Sequence, residues 1–254
     1  MIKSSDIEYQ IDGKTYVGFL ADGANGKRAP GVLVAHEGGG MTNHPKERAS
    51  MLAELGYVAF AMDTFGEPMT SREQVTATIG ALTADLPTLR KRARTALDIV
   101  KSQSSVDAAR TAAIGFCFGG TTVLELARSG AEVGCIVGFH SGLQTSAPQD
   151  ARNIKGKVLV CLGALDPIIP PEQREAFIKE MEAGGVDWRM EIYGSAAHSF
   201  TNRYVDALNL PGFRYHERTD KRSWRAMRDL FDEVLGARAS DPHLRRKLCF
   251  RLRA

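Results

Sequence analysis

One cysteine of this chain stands in a setting that gives a thiol more than a packing role: Gly115-Phe116-Cys117-Phe118-Gly119-Gly120. A Gly-x-Cys-x-Gly-Gly segment between a strand-like run and a helical stretch describes a tight corner, with small neighbours that let the chain pass. The helix beginning there would aim free N–H groups and the positive end of its dipole at the sulfur. Both favour a thiolate and an oxyanion beside it, and the N–H of Phe118 is the natural first oxyanion donor. A lone cysteine in a glycine-rich turn also reads as a small core residue, so its possible partners decide. Asp166 follows one apolar run in Gly163-Ala164-Leu165-Asp166-Pro167, and His198 follows another in Ala196-Ala197-His198-Ser199-Phe200. A histidine so placed can take the thiol proton while an acid orients its ring. Taken singly, they are a turn acid before proline and a surface histidine. Gly38-Gly39-Gly40 would let backbone N–H groups approach a reacting oxygen. Gly38 is assigned there as the second oxyanion donor, with a plain flexible loop as the alternative.

The elements that must position these residues alternate between apolar runs of strand length and longer amphipathic stretches. Ile7–Ile11 and Thr15–Leu20, bridged by Asp12-Gly13, predict an N-terminal antiparallel hairpin. Buried strands are predicted at Gly31–Ala35, Tyr57–Met62, Thr111–Phe116, Cys135–Phe139, Val158–Leu162 and Trp188–Ile192. Helices are predicted at Pro45–Leu55, Asp85–Lys101, Gly119–Arg128, Glu172–Ala183 and Lys221–Leu235. Such alternation gives an α/β fold, a mostly parallel central sheet with helices on both faces. One domain over 1–236 is expected, without an internal repeat or linker.

Composition narrows the function. At 254 residues and 43% hydrophobic, the chain can bury a sizeable core. No apolar stretch reaches the ~20 residues that span a bilayer, and the first residues lack the apolar run of a secretory signal. A cytoplasmic protein with no membrane partner is the expectation. The four cysteines show no paired spacing, and the six histidines form no zinc pattern. No metal or other cofactor is expected. The formal charge of +3 is misleading, because residues 237–254 hold six basic residues and one acid. Subtracting these from totals of 33 and 30 leaves 27 basic and 29 acidic residues in the body. Nucleic-acid binding therefore has no electrostatic footprint there. The basic tail reads as a disordered extension, with an amphipathic lipid contact as the alternative.

Nucleophile, acid, histidine is the chain order of α/β-hydrolases, each residue just past a strand end. On Gly115–Gly120, the acid after Gly163-Ala164-Leu165, the His198-Ser199-Phe200 segment and Glu37 in Ala35-His36-Glu37-Gly38, the chain resembles the dienelactone hydrolase family over most of 7–236. The resemblance implies an α/β-hydrolase fold and hydrolysis of esters or lactones through a thioester-type acyl enzyme. It also implies that Glu37 contacts the resting cysteine and moves when substrate binds; a carboxylate capping the glycine turn is the plainer reading. Ser71-Arg72-Glu73-Gln74 looks like the family segment carrying a carboxylate-binding arginine. Thr76 stands where the family has tyrosine, and Arg203 arrives one position late. An arginine fork suits a planar carboxylate, so this partial set points to a broader esterase.

The expected partner is a small ester, lactone or phosphotriester, and the expected assembly a monomer or small homo-oligomer. The alternatives are a hydrolase of activated phosphotriesters using the same residues and, from another class, a ligand receptor built on a hydrolase fold. A redox role for Cys117 lacks a resolving cysteine nearby in sequence.

Overall fold

The structure, a computed structural model, describes residues 2–236; the basic tail lies outside the described residues. In chain order the elements are β1 (Lys3–Ile11), β2 (Lys14–Asp22), β3 (Ala29–Ala35), α1 (Asn43–Glu54), β4 (Val58–Met62), α2 (Arg72–Ala84), α3 (Leu86–Ser102), β5 (Val106–Phe116), α4 (Phe118–Arg128), β6 (Cys135–Phe139), β7 (Lys157–Gly163), α5 (Pro171–Gly184), β8 (Trp188–Tyr193) and α6 (Glu217–Val234). The eight strands form one sheet in the order β1-β2-β4-β3-β5-β6-β7-β8. From β4 to β8 all pairs are parallel, and β1 and β2 run antiparallel at one edge. The hairpin turns on Asp12 and Gly13, both at positive φ, as a two-residue turn matched to strand twist requires.

Period-two alternation divides the core between the two faces of the sheet. Leu33, Phe60, Ala113, Ile136 and Val160 point to one face, against Ala96 and Val100 of α3, Leu124 and Ala127 of α4, and Phe177 and Met181 of α5. Val32, Val34, Ile114, Val137 and Leu159 point to the other, against Leu52 of α1 and Met227 and Phe231 of α6. Helix α3 is fixed at its start by the Asp85 side chain, which accepts from the Thr88 N–H, and α5 is stopped by Gly185 in the left-handed region.

Helix α2 was not among the predicted elements. Its N-cap is Ser71, whose side chain accepts from the Gln74 N–H, but only Leu82 is fully buried. With three threonines and a glycine in thirteen residues, it has no apolar stripe for a periodicity to reveal. Among the described residues no helix is long and apolar enough to cross a membrane.

The strand order reverses direction of growth at β3 and β5, which lie side by side: β4 flanks β3, and β6 follows β5. Open α/β sheets hold their ligands in the crevice at the carboxyl ends of such strands. Glu37 follows β3, Cys117 follows β5, Asp166 follows β7 and His198 follows β8, all at that edge.

Candidate active site

Cys117 stands between the last residue of β5 and the first of α4 with φ 52° and ψ −118°. For a residue other than glycine this conformation costs about 1–3 kcal/mol and persists only where the surroundings enforce it. Two contacts do so, since the Cys117 N–H faces the Phe139 carbonyl at 3.0 Å and Nδ1 of His140 at 3.1 Å. The flanking glycines are required by contact. A Cβ on Gly115 would lie 2.0 Å from the Gly119 oxygen, and one on Gly119 would lie 2.2 Å from the Ala35 oxygen. The Phe118 N–H opens α4, where the backbone offers no acceptor four residues back, and so is free for a ligand oxygen.

His198 is fully buried and held on three sides. Its N–H donates to the Gly212 carbonyl at 2.9 Å, its carbonyl accepts from the Arg214 N–H at 3.1 Å, and its ring packs edge-on against Phe213. Nδ1 lies 2.8 Å from Oδ2 of Asp166, whose other oxygen accepts from the Ile168 N–H at 2.9 Å. The acid is thus held by its own loop and points one oxygen at the ring. On the far side, Nε2 carries no hydrogen bond of normal geometry, yet Cys117 is close enough to act on it electrically. Burial works against an imidazolium here, but the charge of a Cys117 thiolate and the hydrogen bond to Asp166 outweigh it. Together they push the His198 pKa up to about 10. Cys117 and His198 open into one cavity of about 880 Å³, walled by α2, the start of α4 and the 142–146 loop, within the usual size range for a small-molecule site.

Glu37 is placed differently from the expectation. Its backbone is fixed, because the Glu37 carbonyl accepts from Nδ1–H of His36 at 2.7 Å and from the Gly40 N–H at 3.1 Å. Its carboxylate turns to Asn202, which donates at 2.6 Å, and not to the cysteine; the other oxygen, Oε1, is buried without a hydrogen bond. Burial raises the Glu37 pKa, against the opposing pull of Asn202 and of the His198 charge. Gly38 sits beneath α2, where an added Cβ would meet Val75 at 3.0 Å and Ile79 at 3.3 Å.

Neither arginine of the expected carboxylate fork reaches the cavity. Arg203 is exposed, pairs with Glu47 at 2.6 Å and lies over the Tyr204 ring. The inward positions of that segment belong to Thr201 and Asn202, both buried. Arg72 is the first residue of α2 and exposed. It shares a helix face with Thr76 one turn on, but only Thr76 of the two lines the cavity.

Sequence reasoning missed a polar layer beneath the nucleophile. His140 accepts from the Cys117 N–H on Nδ1, which leaves its proton on Nε2, 2.8 Å from Oγ1 of Thr201. Arg48 donates to Nε2 of His44 at 3.2 Å and pairs with Asp220 at 2.9 Å. It also reaches the Thr201 carbonyl. Burial holds both His140 and His44 well below the ordinary histidine pKa, helped by the charge on His198 at His140 and by Arg48 at both. Both rings are therefore neutral hydrogen-bonding struts. Nothing local marks Arg48 or His44 in the sequence; they look like the polar face of α1. Among the described residues, no group of three or more histidine, cysteine or acidic side chains could hold a metal ion.

The arrangement can draw a proton from a thiol, hold the resulting charge and receive a carbonyl compound in the cavity. The profile of the Dienelactone hydrolase family matches residues 17–235. A probable 2-oxo-3-(5-oxofuran-2-ylidene)propanoate lactonase of a Bradyrhizobium species is 27% identical over 79% of this chain and 85% of its own length. The solved structure m3DLH is 47% identical, with a TM-score of 0.89 over 92% of this chain and 98% of the other. A dienelactone hydrolase-like promiscuous phosphotriesterase from metagenomic libraries is 38% identical, with a TM-score of 0.87 over 92% and 98%. The chain belongs to the dienelactone hydrolase family and is an ester or lactone hydrolase of the α/β-hydrolase fold.

Proposed function

We propose that the chain cleaves carboxylic esters or lactones through an acyl-cysteine intermediate, with Cys117, His198 and Asp166 as the working triad. The observation that carries this reading is the Asp166–His198 hydrogen bond of 2.8 Å, behind an imidazole whose pKa responds to Cys117 at a strained strand–helix corner. His198 takes the thiol proton, and the sulfur adds to the carbonyl carbon. The N–H groups of Phe118 and Gly38 hold the oxygen that becomes negative. Collapse expels the alcohol, which leaves with the proton from His198. A water molecule then gives its proton to the same Nε2 and attacks the thioester, releasing the acid and restoring the thiol. Glu37 stands behind the site on Asn202, where burial raises its pKa.

A second reading shares the machinery: attack of Cys117 on an activated phosphotriester. The relative described as a promiscuous phosphotriesterase favours it. One panel tests both, with an aryl ester, a lactone and an aryl phosphotriester run on wild type and on Cys117→Ala. Loss of at least ~10³-fold on every substrate that the wild type cleaves is expected, in line with removal of a nucleophile. Full activity in Cys117→Ala overturns the reading.

A further inference from the structure

We propose that this pocket selects substrates whose acyl part is neutral and discriminates against those carrying a carboxylate. The proposal rests on the ester-hydrolase reading above and names its substrate class. Cys117 and His198 are the only titratable side chains among the described residues that line the cavity, and passing one proton between them leaves the pair without net charge. The remaining walls are aliphatic, aromatic, amide, glycine or hydroxyl.

The hydroxyls on the helical walls do not present donors. Thr76 donates to the Arg72 carbonyl at 3.0 Å, Thr83 to the Ile79 carbonyl at 2.9 Å, and Thr121 to the Gly142 carbonyl at 2.9 Å. Each therefore turns a methyl group or lone pairs toward the cavity. Gln173 takes the Leu143 N–H on its carbonyl oxygen at 2.7 Å and turns its NH₂ to the Ile168 carbonyl at 3.5 Å, and the loop residues Gln144, Thr145 and Ser146 bring neutral donors only. A carboxylate accepts hydrogen bonds and offers none, and these walls meet it with neutral donors and no cation.

The cations on surrounding elements are turned elsewhere. Arg203 holds Glu47, Arg48 holds Asp220 beneath the site, Arg92 donates to the Thr64 carbonyl, and Arg174 donates to the Gly163 carbonyl. Asp166 stands directly behind His198, so the fixed charge nearest the reacting groups is itself an acid. Bringing a carboxylate out of water into such a pocket removes hydration and returns no charged partner.

The test uses two aryl adipates with the same leaving group, one with a free distal carboxylate and one capped as its methyl ester. Both are run on wild type, Cys117→Ala, Arg72→Ala, Arg203→Ala and Thr76→Arg near neutral pH. The capped ester should show a kcat/KM at least ~10-fold higher, mainly through KM, as expected where a charge-assisted hydrogen bond is missing. Arg72→Ala and Arg203→Ala should leave the ratio unchanged. Thr76→Arg, which places a cation on the α2 wall, should move the ratio toward the free carboxylate by ~10-fold. Equal or faster turnover of the carboxylate by wild type overturns the proposal, as does a ratio that collapses in Arg72→Ala or Arg203→Ala. The Cys117→Ala arm separates the two claims. A preference for the capped ester whose rate does not depend on Cys117 refutes the nucleophile and leaves the pocket selectivity standing.

Discussion

Replacing Asp166 by asparagine tests how much of the thiol chemistry depends on the acid. In the wild type, Oδ2 of Asp166 accepts from Nδ1–H of His198 at 2.8 Å, while Oδ1 takes the Ile168 N–H at 2.9 Å. Asparagine fits the same space, and its oxygen satisfies the Ile168 N–H. Its NH₂ then faces Nδ1, which must become an acceptor. The proton moves to Nε2, the nitrogen needed to receive the thiol proton. A hydrogen bond to a charged group is worth about 1.5–3 kcal/mol, which at about 1.36 kcal/mol per decade corresponds to roughly 10- to 150-fold. Reversal of the tautomer adds to that, and in serine triads the whole substitution costs about 10⁴ in kcat. A free thiol, with a pKa near ~8.5, ionises far more readily than a hydroxyl. The expected loss here is therefore ~10²- to 10³-fold. The assay is kcat/KM for a neutral aryl ester from about pH 6 to 9.5, spanning the ordinary histidine and cysteine pKa values. Residual activity of Asp166→Asn should climb with pH as direct thiol ionisation replaces His198. A wild-type rate and profile would refute the assignment, and another loop carboxylate would have to orient the histidine.

Three further outcomes follow from the packing and the charges. Gly119→Ala drives a Cβ to 2.2 Å from the Ala35 carbonyl oxygen, a backbone atom that cannot rotate aside. It should cost about 3 kcal/mol, a fall of about 6–12 °C in Tm, and an unchanged melt would show that the corner is looser than described. Arg128 is fully buried between Glu125 and Glu180 and donates to the Leu143 carbonyl beside the pocket loop. Arg128→Met leaves Glu125 with Arg90 but strands the buried Glu180 carboxylate, and should lose about 3–5 kcal/mol in urea unfolding; a loss below about 1 kcal/mol would contradict that. His198 is raised from an ordinary 6.5 to about 10. Its folded form therefore binds the proton more tightly than the unfolded chain, so its stabilising contribution is full below pH 6.5 and disappears as pH rises through about 10. The urea midpoint of wild type should fall across that window more steeply than that of Cys117→Ala, and parallel slopes would refute the coupling.

The fold was largely legible because its signal is local. Continuous apolar runs such as Val32–Ala35 and Ala112–Phe116 are buried on both faces, and the amphipathic α3 buries Leu86, Leu89, Ala93, Ala96, Leu97 and Val100 along one face. Strand ends were less so: β1 extends back over exposed Lys3–Asp6 and β5 back to Val106, where edge or irregular pairing leaves no apolar pattern. The site divides in the same way. Cys117, Asp166 and His198 each follow a strand end, so order and spacing alone bring them to one edge of the sheet. Arg72 and Arg203 were placed by analogy of sequence position. A one-residue offset was enough to turn Arg203 outward to Glu47 while Asn202 turned inward to Glu37. His140, His44 and Arg48 were invisible because their roles come from contacts across three separate segments.

The covalent intermediate is the most direct measure of the whole account. Wild-type enzyme is mixed with an aryl acetate, quenched in acid within the first turnover, digested and mapped by mass spectrometry. An acetyl group on the peptide that contains Cys117, localised to the sulfur, rising before steady state and absent in Cys117→Ala, is the predicted result. An acetyl group on another side chain, or undiminished turnover in Cys117→Ala with no adduct at any time, would contradict it.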